Sequence, residues 1–132
     1  MQERRLGHSG LRVSRLALGT MSFGAAVDEV EAQAQVSAFL SAGGTLIDTA
    51  PIYGDGDCEA VLGRVLATLG VRDRVVLAGK AGLGHRDGVV VRDASRRTLI
   101  DQLDRSLRDL GTDHLDLWQI HRWDAQTPVE ET

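Results

Sequence analysis

The chain has little of what marks an exported, membrane-spanning or nucleic-acid-binding protein. Cysteine occurs once, at Cys58, which excludes an internal disulfide and fits a reducing compartment. No apolar run approaches the roughly 20 residues needed to span a bilayer. The first ten residues, MQERRLGHSG, carry charge but lead into no apolar signal-peptide segment. A cytoplasmic location is therefore expected. The net charge of -4 lacks the basic excess that nucleic acid or an anionic membrane surface would call for. His8, His85 and His114 have no partners at metal-ligand spacing, so no metal site is expected. There is no internal repeat and no low-complexity linker. Two scarcities are informative. Tyr53 is the only tyrosine, and Lys80 is the only lysine, against fourteen arginines.

What is present is an alternation of short apolar runs and helical stripes around the stretch Thr45–Glu59. Residues 1–18 predict a small hairpin about Gly7–Gly10, followed by a first core strand, Leu16–Leu18, ending in Gly19-Thr20-Met21. Asp28 to Ala42 carries a moderate helical stripe and stops at Gly43-Gly44. Leu46-Ile47 is a second buried strand that ends abruptly on Asp48. Pro51, Gly54 and Gly56 mark the loop that holds Tyr53. Ala60–Leu69 has helical spacing, with Gly70 as its cap. Val75–Lys80 is a third strand, and Ala81–Arg92 reads as a long polar loop. Asp93 or Ser95 can cap a third helix carrying Leu99, Leu103, Leu107 and Leu110. Leu115–Ile120 is a fourth strand ending at His121, and Thr127-Pro128-Val129-Glu130 has the signals of a helix start. Alternating βα units imply parallel strands and right-handed crossovers. Both an open doubly wound sheet and half of a (β/α)8 barrel fit. A lone half-barrel leaves two sheet edges unpaired, which favours a fragment.

The polar residues at or just past the strand ends are Thr20, Asp48, Tyr53, Lys80 and His121. In a parallel sheet they all reach one rim, where α/β folds carry their chemistry. A tyrosine is a feeble acid near neutrality. An ammonium beside it stabilises the phenolate, and a carboxylate holds that ammonium in place. Lysine suits this task better than arginine because its charge is compact and its pKa movable. A nearby histidine can donate a hydrogen bond to a substrate oxygen or share the proton transfer. Carbonyl reduction by hydride is the reaction that most needs such a set.

These residues resemble the N-terminal half of an aldo-keto reductase. Asp48-Thr49-Ala50, Tyr53-Gly54, Lys80 after Val75–Gly79, and Gln119-Ile120-His121-Arg122 match that family's motifs in order and spacing. Leu6–Ser14 and Leu18–Met21 resemble its hairpin and first strand. The resemblance implies a (β/α)8 TIM barrel, of which residues 1–132 would form the N-terminal half, ending within the fourth helix. It implies reduction of an aldehyde or ketone with NADPH. Tyr53 would be the general acid, Asp48 and Lys80 its tuning partners, and His121 the group that orients the carbonyl. Gly19, Thr20, Met21 and Asp48 would lie along the cofactor, and Trp123 would border the substrate. Gly79 stands where the family commonly has threonine, and Cys58 where it often has serine. The strands that grip the cofactor's adenosine end lie outside these residues, so little activity is expected from them alone. The expected partners are a small carbonyl compound and, structurally, the barrel's other half or a second copy. A non-catalytic binding or regulatory module is the alternative.

Overall fold

A computed structural model describes residues 1–132. The amino-terminal hairpin pairs β1 (Glu3–Arg5) with β2 (Arg12–Ser14) in antiparallel register. Ser14 staples it to the sheet: its N–H donates to the Thr45 hydroxyl at 2.9 Å, and its own oxygen accepts from Thr45 N at 2.9 Å. Four parallel strands follow in the order β3 (Ala17–Gly19), β4 (Leu46–Asp48), β5 (Val76–Ala81) and β8 (Leu117–Ile120). Helix α1 (Glu29–Ser41) connects the first pair, α2 (Cys58–Leu69) the second and α3 (Arg96–Leu110) the third. The sheet is the expected succession of βα units.

The helix ends follow from their cap residues. Asp28 accepts from Glu31 N at 2.9 Å and starts α1, as side-chain oxygens do for the orphan amides of a first turn. At α3 the two expected caps share the task. Ser95 accepts from Thr98 N, while Asp93 accepts from Ser95 N at 3.0 Å and from the Thr98 hydroxyl at 2.7 Å. The longest helix is α3, and no helix is long and apolar enough to cross a membrane.

Sheet register decides which side chains meet. Gly19, Asp48, Ala78 and Leu117 lie level across the four strands. Successive residues alternate between faces, so the row just before this level, Leu18, Ile47 and Leu77, faces the helices. Ile47 and Leu77 are fully buried there against Val36 of α1 and Leu62 and Val65 of α2. The core therefore lies on the helix side of the sheet. Both outer strands are edges; on β8, Trp118 and Ile120 are each 37% exposed.

One expectation gives way. The segment read as a polar loop over Ala81–Arg92 contains a hairpin, β6 (Leu83–Arg86) paired with β7 (Val89–Arg92). Asp87 and Gly88 both take positive φ, 52° and 77°, the two-residue turn that matches strand twist. Three consecutive valines after it favour the extended chain. Where a fourth helix is expected to start, the residues after Thr127 form a turn, with Glu131 N donating to Pro128 O at 3.0 Å. One turn seldom forms a helix unaided, and its polar groups serve other partners. Thr127 donates its hydroxyl to Asp124 at 2.7 Å, and Glu131 accepts from Arg96 N at 3.0 Å.

Candidate active site

Asp48 ends β4 at the level row, and Lys80 lies two residues beyond that row on β5. His121, bonded from its N–H to Ala81 O at 2.8 Å, lies four residues beyond the row on the chain of β8. These even offsets put all three side chains on one face of the sheet, the face turned away from the helices. Thr20 and Thr49 lie one residue past the row and so point the opposite way. Both are fully buried on the helix side.

The carboxylate of Asp48 accepts from Lys80 Nζ at 2.6 Å, and Thr49 O accepts from the same ammonium at 3.0 Å. The lysine side chain is 13% exposed and the aspartate side chain 33%. A half-sheltered ammonium is costly unless its N–H groups are matched; two of three are matched here. Tyr53 arrives from the loop after β4, where Ala50 O accepts its N–H at 3.1 Å and a short 3-10 turn spans Tyr53–Gly56. Its ring lies 5.0 Å from Lys80 Nζ, and the His121 ring meets it edge-on with centroids 5.6 Å apart. Both contacts suit the negative face and positive edge of aromatic rings. The four expected acid–base residues are thus one cluster.

Burial pushes the His121 imidazole below its ordinary pKa, and the positive charges of Lys80 and Arg122 push the same way. Asp48 opposes them, without reversing the result. A neutral imidazole at physiological pH carries one N–H, enough to donate to an oxygen held beside Tyr53.

At the end of β3, Gly19 is exposed, and a side chain there would meet only open space. Met21 is 68% exposed. Gly19 is paired level with Asp48 on the neighbouring strand. The Thr20 side chain is fully buried and its hydroxyl donates to Asp48 O at 3.1 Å, so the side chain lies on the helix side of the sheet. Trp123 is 68% exposed and stands outside the aromatic contact between Tyr53 and His121.

The sequence reading passed over Glu59. It sits in the first turn of α2, where an acid ordinarily complements the helix dipole. Yet it is 1% exposed, and neither carboxylate oxygen has a hydrogen-bond partner. Burial raises its pKa to about 7, with Asp109 adding to the effect and Arg105 and Lys80 opposing it. The Ser106 hydroxyl beside it tempers the shift without completing a hydrogen bond.

Comparison with known proteins bears on this cluster. Residues 15–132 match the model of the Aldo/keto reductase family. The aldo-keto reductase YhdN of Bacillus subtilis is 37% identical over 100% of this chain and 41% of its own length. A rice protein named "Probable voltage-gated potassium channel subunit beta" is 38% identical over 100% of this chain and 40% of its own. The solved aldo-keto reductase AKR11C1 of Bacillus halodurans superposes with a TM-score of 0.88 at 35% identity. That match covers 99% of this chain and 43% of the other. The chain thus spans about two-fifths of the length of these relatives, and its sheet is part of the (β/α)8 barrel of such structures. With sequence, register and superposition in agreement, the chain belongs to the aldo/keto reductase family.

Proposed function

We propose that these residues form the acid–base half of an NADPH-dependent reductase that converts an aldehyde or ketone to an alcohol. The observation that carries the reading is the Lys80–Asp48 contact of 2.6 Å set against the Tyr53 ring. Tyr53 is the general acid: its O–H proton passes to the carbonyl oxygen as charge develops there. The fixed Lys80 ammonium favours the phenolate left behind, and Asp48 keeps that ammonium from swinging away. His121, kept neutral by burial and by Lys80, donates an N–H to the same oxygen and sets its direction. Residues 1–132 as the N-terminal half of the barrel are part of this proposal.

Gly19, Met21 and Asp48 leave room for a nicotinamide nucleotide: a side chain at Gly19 would meet only open space, and the partly exposed Asp48 carboxylate can accept from a ribose hydroxyl. When bound, that cofactor supplies the hydride. The residues of this chain orient the carbonyl, exclude water beneath Tyr53 and deliver the proton. A small carbonyl compound is the substrate, and the barrel's second half or a second copy is the structural partner.

The test follows NADPH consumption at 340 nm with a panel of aldehydes. It uses the chain alone and the chain reconstituted with a complementary half-barrel. Reconstituted turnover that falls by about 10²- to 10⁴-fold in Tyr53→Phe supports the reading, that being the usual worth of a general acid. Turnover indifferent to Tyr53 refutes it. NADPH binding without turnover in the reconstituted protein would instead favour a regulatory module.

A further inference from the structure

Behind the Asp48–Lys80 pair, on the opposite face of the sheet, three buried side chains converge. Cys58, the first residue of α2, is fully buried between Thr20 and Thr49. Its sulfur lies 3.1 Å from the Thr20 hydroxyl, 3.1 Å from Thr20 O and 3.5 Å from the Thr49 hydroxyl. Thr20 donates both its N–H and its hydroxyl to Asp48 O, each at 3.1 Å. Thr49 supplies the carbonyl that accepts from Lys80 at 3.0 Å.

We propose that Cys58 is a positioning residue, whose thiol fixes the end of β4 from the helix side and so holds Asp48 and Thr49 O where Lys80 needs them. Three hydrogen bonds can form together, with the 3.1 Å contact between the Thr20 hydroxyl and sulfur then a packing contact without a proton of its own. The Thr20 hydroxyl donates to Asp48 O, the thiol donates to Thr20 O, and the Thr49 hydroxyl donates to sulfur. Every donor has one acceptor, and sulfur serves once in each role. A small apolar residue would fill the space, as a buried cysteine often does, but it would leave the Thr49 hydroxyl and one of the two acceptor positions on Thr20 unmatched. Parity explains the convergence. Thr20 and Thr49 follow Gly19 and Asp48 by one residue each, so both turn from the catalytic face to the helix face, where α2 begins.

The catalytic consequence rests on the proposed reductase reading, but the test does not. Lys80 is the only lysine, so selective 15N-lysine labelling gives a single side-chain ammonium signal. Its exchange with solvent reports how firmly Asp48 and Thr49 hold it. Cys58→Val should accelerate that exchange about two- to fivefold, the factor for losing weak hydrogen bonds worth about 0.5–1 kcal/mol. Cys58→Ser, which keeps a donor and an acceptor, should restore most of the protection although it packs less well. Unchanged exchange in Cys58→Val overturns the proposal, and so does a serine variant no better than valine, since both point to space filling alone. Far-UV circular dichroism checks that each variant is folded. If Cys58→Val does not fold, Thr49→Val removes only the hydroxyl that reaches sulfur and should still speed the exchange. No effect there, or loss of fold in both, also overturns it, because a positioning role requires a folded protein with a displaced pair.

Discussion

Glu59→Gln isolates the cost of one buried carboxyl. In the folded chain Glu59 is 1% exposed, with both oxygens unpartnered, and its pKa stands at about 7 against an ordinary 4.5. The folded state therefore holds a proton between those values that the unfolded chain has released. The contribution of Glu59 to stability is greatest below about pH 4.5 and falls as pH rises through about 7, after which the loss is complete. At about 1.4 kcal/mol per pKa unit the penalty is about 3 kcal/mol, a sizeable share of a typical domain's 5–15 kcal/mol, taken as roughly the usual range. Glutamine keeps the shape and cannot ionise. Urea unfolding followed by circular dichroism should find parent and variant nearly equal at the acidic end. At pH 8 the variant should be more stable by about 2 to 3 kcal/mol. Other titrating groups cancel in this difference, although Arg105, Asp109, Lys80 and Ser106 face the site and must stay unchanged. Parallel pH profiles for the two proteins would refute the reasoning.

Three further outcomes are expected. Gly63→Ala should lower stability despite a better helix propensity. A Cβ there would come within 2.7 Å of the Leu110 backbone, and such overpacking costs about 1–3 kcal/mol against a gain of about 1 kcal/mol; a raised melting temperature would contradict this. The His121 imidazole should titrate below its usual value in an NMR pH series. Lys80→Met should move that midpoint upward because one of the charges that depress it is gone; a downward move would contradict the assignment. Gly88→Val should weaken the β6–β7 hairpin, since Gly88 holds a φ of 77° that β-branched residues resist, and faster amide exchange over Leu83–Arg92 is the readout.

The clustering of Asp48, Tyr53, Lys80 and His121 was legible because its logic is one-dimensional. Asp48, Lys80 and His121 each end an apolar run, and parallel strands bring such ends to one rim. Helix limits were legible where a cap residue precedes the helical stripe, as at Asp28 for α1 and at Asp93 and Ser95, which share the task, for α3. The hairpin at Leu83–Arg92 was hidden because its glycines and charges match a loop, while the two-residue turn at Asp87-Gly88 and the valine run carry the contrary signal. At Thr127 the cap signals precede only five further residues, in which Asp124 and Arg96 bond to the polar groups of Thr127 and Glu131. Thr20 sits in the motif that by resemblance lies along the cofactor, and only the register shows that its side chain turns to the helix face. The burial of Glu59 and the contacts of Cys58 depend on how α2 lies against the sheet, which no local pattern encodes.

The central claim is that Tyr53 is the proton donor of a carbonyl reduction. Its most direct test compares parent and Tyr53→Phe for NADPH-dependent aldehyde reduction in the reconstituted barrel, with cofactor affinity measured in parallel by fluorescence titration. The account predicts that the variant binds NADPH as the parent does and loses about 10²-fold or more in turnover. Equal turnover in the two proteins would contradict it.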